Sequence, residues 1–292
     1  MPSMSSDRFQ VQVEIERIIG CSDPSQLGTQ KTHFKGKIAQ ISISESHLSV
    51  LNPAAKVDAS GTFFKALLSI VEALEGLARG AHSWAVVKLY YSVFYLMRCK
   101  MSAVGHIFFK CAGTIYSVEL KEGAVPTERS KGVFAGSQVR GDHKTILATY
   151  VGHLGVRDIL LTNKIGSVSV FEWMMSARED VHYRKPTFTE PASGFFYQEL
   201  FTEEGLERWI NLYLENPQVV YCFLAEHCCL ATPLVLARAA LDEHLARFTD
   251  PPLTNNQGQY LQSKLSGIIQ PATRFHALVN AATLSTAALA SE

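Results

Sequence analysis

The sequence predicts a mainly α protein, a helical bundle with a small β element made of N-terminal strands and a hairpin over residues 106–120. Three observations carry this prediction. From Thr62 onward, apolar residues recur at spacings of three and four, the period of one helix face. The segment Trp84–Lys100 is apolar nearly all round, which belongs at the centre of a bundle. Short runs of strictly alternating apolar residues occur near the N-terminus, and β-type runs flank a glycine turn near 106–120. At 292 residues and 47% apolar, the chain is long enough to bury roughly three quarters of its unfolded surface. Three regions are expected: a 1–60 extension with short strands, a 61–250 bundle with the hairpin inserted, and a 251–292 helical tail.

Val11, Val13 and Ile15 alternate, as do Ala39, Ile41 and Ile43, and both runs suit half-buried strands. The first run also fits a short helix through Val11, Ile15, Ile18 and Ile19. Ser22-Asp23-Pro24-Ser25 and Asn52-Pro53 read as turns. Phe63, Phe64, Leu67, Leu68, Val71, Leu74 and Leu77 then form a helix face that Gly80 closes. A second helix starts near His82-Ser83. Along it, Tyr91, Tyr95 and Arg98 fall at i, i+4 and i+7, a polar line on an otherwise apolar element. Buried tyrosine hydroxyls need partners, so this line faces a polar seam or another subunit.

His106–Cys111 and Ile115–Leu120 read as two strands joined by a glycine turn. A lone hairpin is marginal in water, so it packs on the bundle or pairs with the N-terminal strands. Residues 121–144 contain five glycines and prolines with Arg129, Lys131, Arg140 and Lys144, a locally basic loop. Helical signals resume at Thr145–Val151, and Asp158–Lys164 leads into the charged stretch Trp173–Pro191. Three helices follow, at Thr202–Glu215, at Pro217–Leu230, and from Thr232 as N-cap with Pro233 at the first helical position. Pro251-Pro252 ends the last of them, Asn255–Gly258 reads as a loop, and the tail from Gln259 as weakly specified helices.

The chemistry concentrates in Trp173–Pro191. Arg178 and His182 are four apart and should share a helix face; Asp180 and Arg184 have the acid-first order of an intrahelical pair. Pro186 stops the helix, leaving the cations at its negative end. The bland reading is a capped helix end with solvated charges. The functional one makes Arg178, His182 and Tyr183 catalytic, with Arg184, Arg98, Tyr91 and Tyr95 binding substrate. Histidine moves a proton near neutral pH and arginine clamps a phosphate. Together they suit cleavage of an RNA phosphodiester by its own 2′-hydroxyl, with His182 as acid or base and Arg178 opposite the developing charge. The Tyr91/Tyr95/Arg98 line as the wall of a small-molecule pocket is a further option, and it predicts a cavity between the two helices.

Other chemistries lack a signature. No Cys-x2-Cys, His-x3-His or His-Glu-x-x-His run, no glycine-rich phosphate loop and no Gly-x-Ser-x-Gly occurs, so no metal or cofactor is expected. The 27 basic and 27 acidic residues cancel, which disfavours extended coating of a polyanion while allowing a local phosphate site. Six scattered cysteines suit buried thiols in a reducing compartment. With no signal peptide and no membrane-length apolar run, the expectation is a cytoplasmic protein with no membrane association.

Trp84…Leu89-Tyr-Tyr-Ser-Val-Phe-Tyr…Arg98, followed at a distance by Arg178-Glu-Asp-Val-His-Tyr-Arg184, resembles the HEPN superfamily over about residues 62–190. The resemblance implies a four- to five-helix bundle that dimerises across its polar helices. Many members are metal-independent RNases acting as toxins or antiviral effectors, and others are non-catalytic binding or scaffold domains. The active members carry an arginine and a histidine separated by four to six residues, often near a tyrosine. Here three residues separate Arg178 from His182. Both outcomes therefore stay open: an RNA-directed RNase working as a homodimer, or an interaction subunit that binds a partner protein.

Overall fold

A computed structural model of the chain describes residues 8–134, 137–184, 186–188, 190 and 194–283. It is mainly α with a small antiparallel β element. The N-terminal segment forms α1 (Gln10–Ile18), α2 (Gln26–Thr29) and α3 (Lys31–Ala39), and two long helices follow, α4 (Glu45–Ala78) and α5 (His82–Ala103). A three-stranded sheet is built from β1 (His106–Cys111), β2 (Thr114–Glu119) and β3 (Thr127–Glu128), and β4 (Val133–Phe134) pairs with β5 (Ser137–Gln138). The remaining helices are α6 (Gly141–Leu154), α7 (Val170–Glu179), α8 (Gly205–Glu215), α9 (Ala225–Phe248), α10 (Asn255–Leu265) and α11 (Arg274–Ala281). β3, β4, β5 and the first residues of α6 occupy the stretch 121–144 expected to be a basic loop.

The expected N-terminal strands are helical or irregular instead. Val11 and Ile15, four apart, are both buried, whereas Val13 between them is only half-buried, so the 3.6 period wins over the alternation. Asp58 of α4 fixes the start of α1 by accepting from the backbone N–H groups of Gln10 (2.6 Å) and Val11 (2.9 Å). In the second run, Ala39 ends α3, and Ile41 and Ile43 are buried in irregular chain. Ile43 is held by backbone hydrogen bonds with Gly123 and Ala124.

Three further expectations are corrected. Asn52-Pro53 is not a turn but lies inside α4, which begins seventeen residues earlier than the apolar pattern at Thr62 suggests. Ser44 and His47 form a capping box at its start. Thr232 and Pro233 do not start a helix; both are buried inside α9. In each case burial of the flanking residues outweighs the backbone hydrogen bond that proline removes. Asn255–Gly258 is the first turn of α10, capped by Thr254 and Gln257.

The hairpin turns at Ala112-Gly113, both at positive φ (49° and 79°), the geometry of a tight primed turn that glycine adopts freely. Its faces divide between two cores. Ile107, Phe109, Cys111, Tyr116 and Val118 pack with Val11, Ile15, Phe34, Ile38 and Leu51. Phe108 and Ile115 join the bundle core of α4, α5, α6, α7, α8 and α9. Leu261, Leu265, Phe275 and Val279 belong to that same core, so the C-terminal helices are integral to the bundle. Among the described residues all six cysteines are free and buried, and no helix is long and apolar enough to cross a membrane.

Candidate functional site

The site forms where the end of α7 meets the first half of α5. Ser169 and Glu172 close a capping box at the start of α7. Val170, Phe171, Met174, Ala177 and Val181 bury its inner face. After Glu179 the helix widens into a π turn over Asp180–Arg184. A π turn carries one extra residue, so neighbours on a face are five apart rather than four. This displaces the expected stacking of Arg178 on His182. Arg178 instead donates to the Tyr183 hydroxyl at 3.1 Å, and Arg184 pairs with Glu179 at 3.2 Å, where the four-residue spacing pointed to Asp180.

Arg178 also reaches across to α5. Its Nη2 donates to the Tyr91 hydroxyl at 3.3 Å, joining the two elements that the sequence singled out. The guanidinium lies 4.7 Å from the ring centre of Tyr183, 5.5 Å from that of Tyr90 and 5.7 Å from that of Tyr91. Such contacts hold a cation over electron-rich ring faces. Nε of Arg178 is buried without a partner among the described residues. Nη1 makes no hydrogen bond there either and is the donor left for a ligand.

His182 sits beside this cluster. Its ring is 4.4 Å from that of Tyr183 and 5.8 Å from that of Trp84. Its Nδ1 is buried and has no partner among the described residues. Tyr183 is 65% exposed, Trp84 47% and Phe188 46%, and Phe188 packs at 5.7 Å on Trp84. The chain beyond the π turn is fastened to the start of α5 by Glu190, whose carboxylate accepts from the backbone N–H groups of His82 (2.9 Å) and Ser83 (2.6 Å). A carboxylate there also meets the positive end of the helix dipole. Lys185, Thr189 and Pro191 of the expected charged stretch lie outside the described residues.

Beside Arg178, buried Tyr90 and half-buried His143 form a pair with 2.9 Å between the hydroxyl and Nδ1. Burial raises the Tyr90 pKa above the ordinary tyrosine value, with Arg178 pulling the other way. Burial, and then the charge of Arg178, lower the pKa of His143. With the phenol protonated and the imidazole neutral, one proton is shared along this contact, and the tautomer of His143 sets which atom donates it. Phe94 stacks on the His143 ring at 4.2 Å.

Of the expected site residues, the structure brings together Arg178, Tyr91 and Tyr183, with the His182 ring against that of Tyr183. Tyr95 continues the line, its ring 6.3 Å from that of Tyr91, and burial raises its pKa. Arg98 does not join Arg178. Its guanidinium packs 4.2 Å over Phe9, on the wall of a cavity of about 700 Å³ between α1, the hairpin and α6. The cavity expected between the two helices is not this one, since no residue of α7 or the π turn lines it. Arg184, salt-bridged and exposed, stays outside the cluster. Sequence reasoning missed Tyr90, His143, Trp84, Phe188 and Glu190. An adjacent tyrosine pair hinted at Tyr90, while His143, set in a glycine-rich stretch, gave no signal.

Comparisons of the chain with protein-family models, with curated proteins and with solved structures find no match.

Proposed function

We propose that this protein is a HEPN-like effector that binds single-stranded RNA and cleaves it without a metal ion. The observation that carries the reading is the Arg178–Tyr91 hydrogen bond, which turns a helix end into a site shared by two elements. Exposed Trp84, Tyr183 and Phe188 supply faces on which bases stack, a mode that tolerates any sequence. Arg178 Nη1 faces a phosphate oxygen and stabilises the charge that grows there. His182 exchanges the proton of the 2′-hydroxyl. The 2′-oxygen bonds to phosphorus, the bond from phosphorus to the 5′-oxygen breaks, and that oxygen takes up a proton, leaving a 2′,3′-cyclic phosphate and a 5′-hydroxyl. A homodimer across α5 and the π turn supplies a second His182, so that one imidazole accepts a proton while the other donates. This activity fits an antiviral or toxin-type effector, and six free, buried cysteines fit a cytoplasmic setting.

A second reading is a non-catalytic interaction subunit that covers the same aromatic surface with a partner protein. It is favoured by Arg178, which already donates to two tyrosine hydroxyls within the chain. Incubation of purified protein with RNA in EDTA separates the two. The catalytic reading predicts cyclic-phosphate ends that His182→Ala abolishes and Arg178→Ala reduces by about a hundredfold or more. Intact RNA with the wild-type protein removes it. A partner complex that survives His182→Ala but is lost in Trp84→Ala then supports the second reading.

A further inference from the structure

His106, Glu119 and His153 come from three different elements and share no short motif, yet the fold brings them together. In the β1–β2 register His106 stands directly opposite Glu119, and the last turn of α6 supplies His153. One ligand atom from each lies within 4.8 Å of the others. The imidazoles of His106 and His153 lie side by side, tilted at 41°, with ring centres 4.3 Å apart.

His106 and His244 both have two unpartnered ring nitrogens among the described residues, and of the two His106 has a second histidine and a carboxylate beside it. His106 is only 2% exposed. Buried polar atoms are nearly always satisfied, so two orphaned nitrogens on one ring call for a missing partner. Glu119 is exposed and His153 half-buried, so the group opens to solvent, along a cleft of about 230 Å³ lined by Ser117, Thr127 and Arg129.

We infer that His106, Glu119 and His153 form a binding site for a divalent first-row metal ion, with zinc as the best fit. Two imidazole nitrogens and one carboxylate oxygen are donors that zinc accepts in a four-coordinate shell whose last position is left to water. Zinc–ligand bonds of about 2.0–2.2 Å require donors nearer ~3.4 Å apart. Rotations of the exposed Glu119 and the half-buried His153 toward the fixed His106 close that gap. Arg129 is a competing cation: its Nε donates to Ser117 at 2.7 Å, and its charge acts on both His106 and Glu119. Metal binding therefore draws Glu119 away from it. The ion would tie the end of α6 to the hairpin. None of the three ligands contacts Arg178 in the described structure, so this site and metal-independent cleavage stand or fall separately.

The test uses the untagged full chain, stripped with EDTA and titrated with Zn²⁺ by calorimetry and with Co²⁺ by visible absorption. One equivalent of zinc, a tetrahedral cobalt spectrum and a zinc-dependent rise in melting temperature are expected. His153→Gln and Glu119→Gln, which alter exposed or half-buried side chains, should each weaken binding by at least about tenfold. His106→Gln should abolish the cobalt spectrum. No stoichiometric binding, or zinc affinity unchanged in both His153→Gln and Glu119→Gln, overturns the assignment.

Discussion

Arg178 holds its position through hydroxyl acceptors and ring faces rather than a carboxylate. Its charge therefore stays available to an incoming anion, and its geometry depends on Tyr91 and Tyr183. Tyr91→Phe keeps the ring but removes the acceptor. Thermal unfolding should then show a loss of about 0.5–1.5 kcal/mol, and RNA cleavage should fall while the Trp84 surface remains intact. The Tyr91–Arg98 line was legible from its spacing because i, i+4, i+7 positions share a face whatever the tertiary fold. The partner of each member was not legible. Tyr91 and Arg98 sit on one stripe of α5, yet Tyr91 meets Arg178 while Arg98 packs on Phe9, fifty or more residues away in sequence in either direction. Acid acts at this scale too. Burial lowers the pKa of His82, His106, His143, His227 and His244, to about 3 for His106 and about 4 for His244. The unfolded chain binds protons at these positions first, so their stability is present above the ordinary histidine value of 6.5 and is lost as pH falls below it. Asp58, Asp242 and Glu243, with pKa values raised by burial, act in the opposite direction, adding stability as pH falls through their folded values. The melting temperature should therefore drop between pH 7 and pH 5 in calorimetric scans.

At the scale of the element, the π turn decides which side chains meet. Periodicity located the helix and its charged end correctly, but sequence spacing assumes 3.6 residues per turn throughout and so paired Arg178 with His182. The extra residue shifts each pairing by one, and Arg178 and Glu179 find Tyr183 and Arg184 instead. The same limit explains the N-terminus, where Val11 and Ile15 fit both periods and only the cap from Asp58 and packing on α4 select the helix. It also explains Pro53 and Pro233, which local rules treat as boundaries and the bundle core absorbs. Glu190 is the element-level control of the site, since it ties the strap carrying Phe188 to the start of α5. Glu190→Ala should cost about 1 kcal/mol in chemical denaturation and quicken amide exchange at His82 and Ser83. Unchanged exchange there would mean that the strap is held by other contacts.

Across the molecule, one buried charge cluster joins four parts of the chain. Lys100 of α5 meets Asp158 at 2.8 Å and Glu243 of α9 at 3.3 Å. Asp158 also accepts from the Tyr150 hydroxyl of α6 and from the backbone N–H of Leu160. Both Lys100 and Asp158 are almost fully buried, so removing either strands the other's charge in the core. Asp158→Ala should destabilise the fold by about 3–5 kcal/mol, read from urea unfolding, whereas a charge pair on the surface such as Arg184–Glu179 should contribute less than about 1 kcal/mol. That cluster fixes α5 against the helices behind it and leaves its opposite face, with Trp84 and Tyr91, for the site. In the proposed function, the balanced charge of the chain leaves stacking and a single guanidinium to hold RNA. The measurement that tests this most directly is photo-crosslinking of the full chain to single-stranded RNA carrying 4-thiouridine, with the modified peptides mapped. The account predicts crosslinks at Trp84 and in the segment from Tyr183 to Phe188, lost in Trp84→Ala and Arg178→Ala. Crosslinks confined to the basic stretch around Arg129 and Arg140, or none at all, would contradict it.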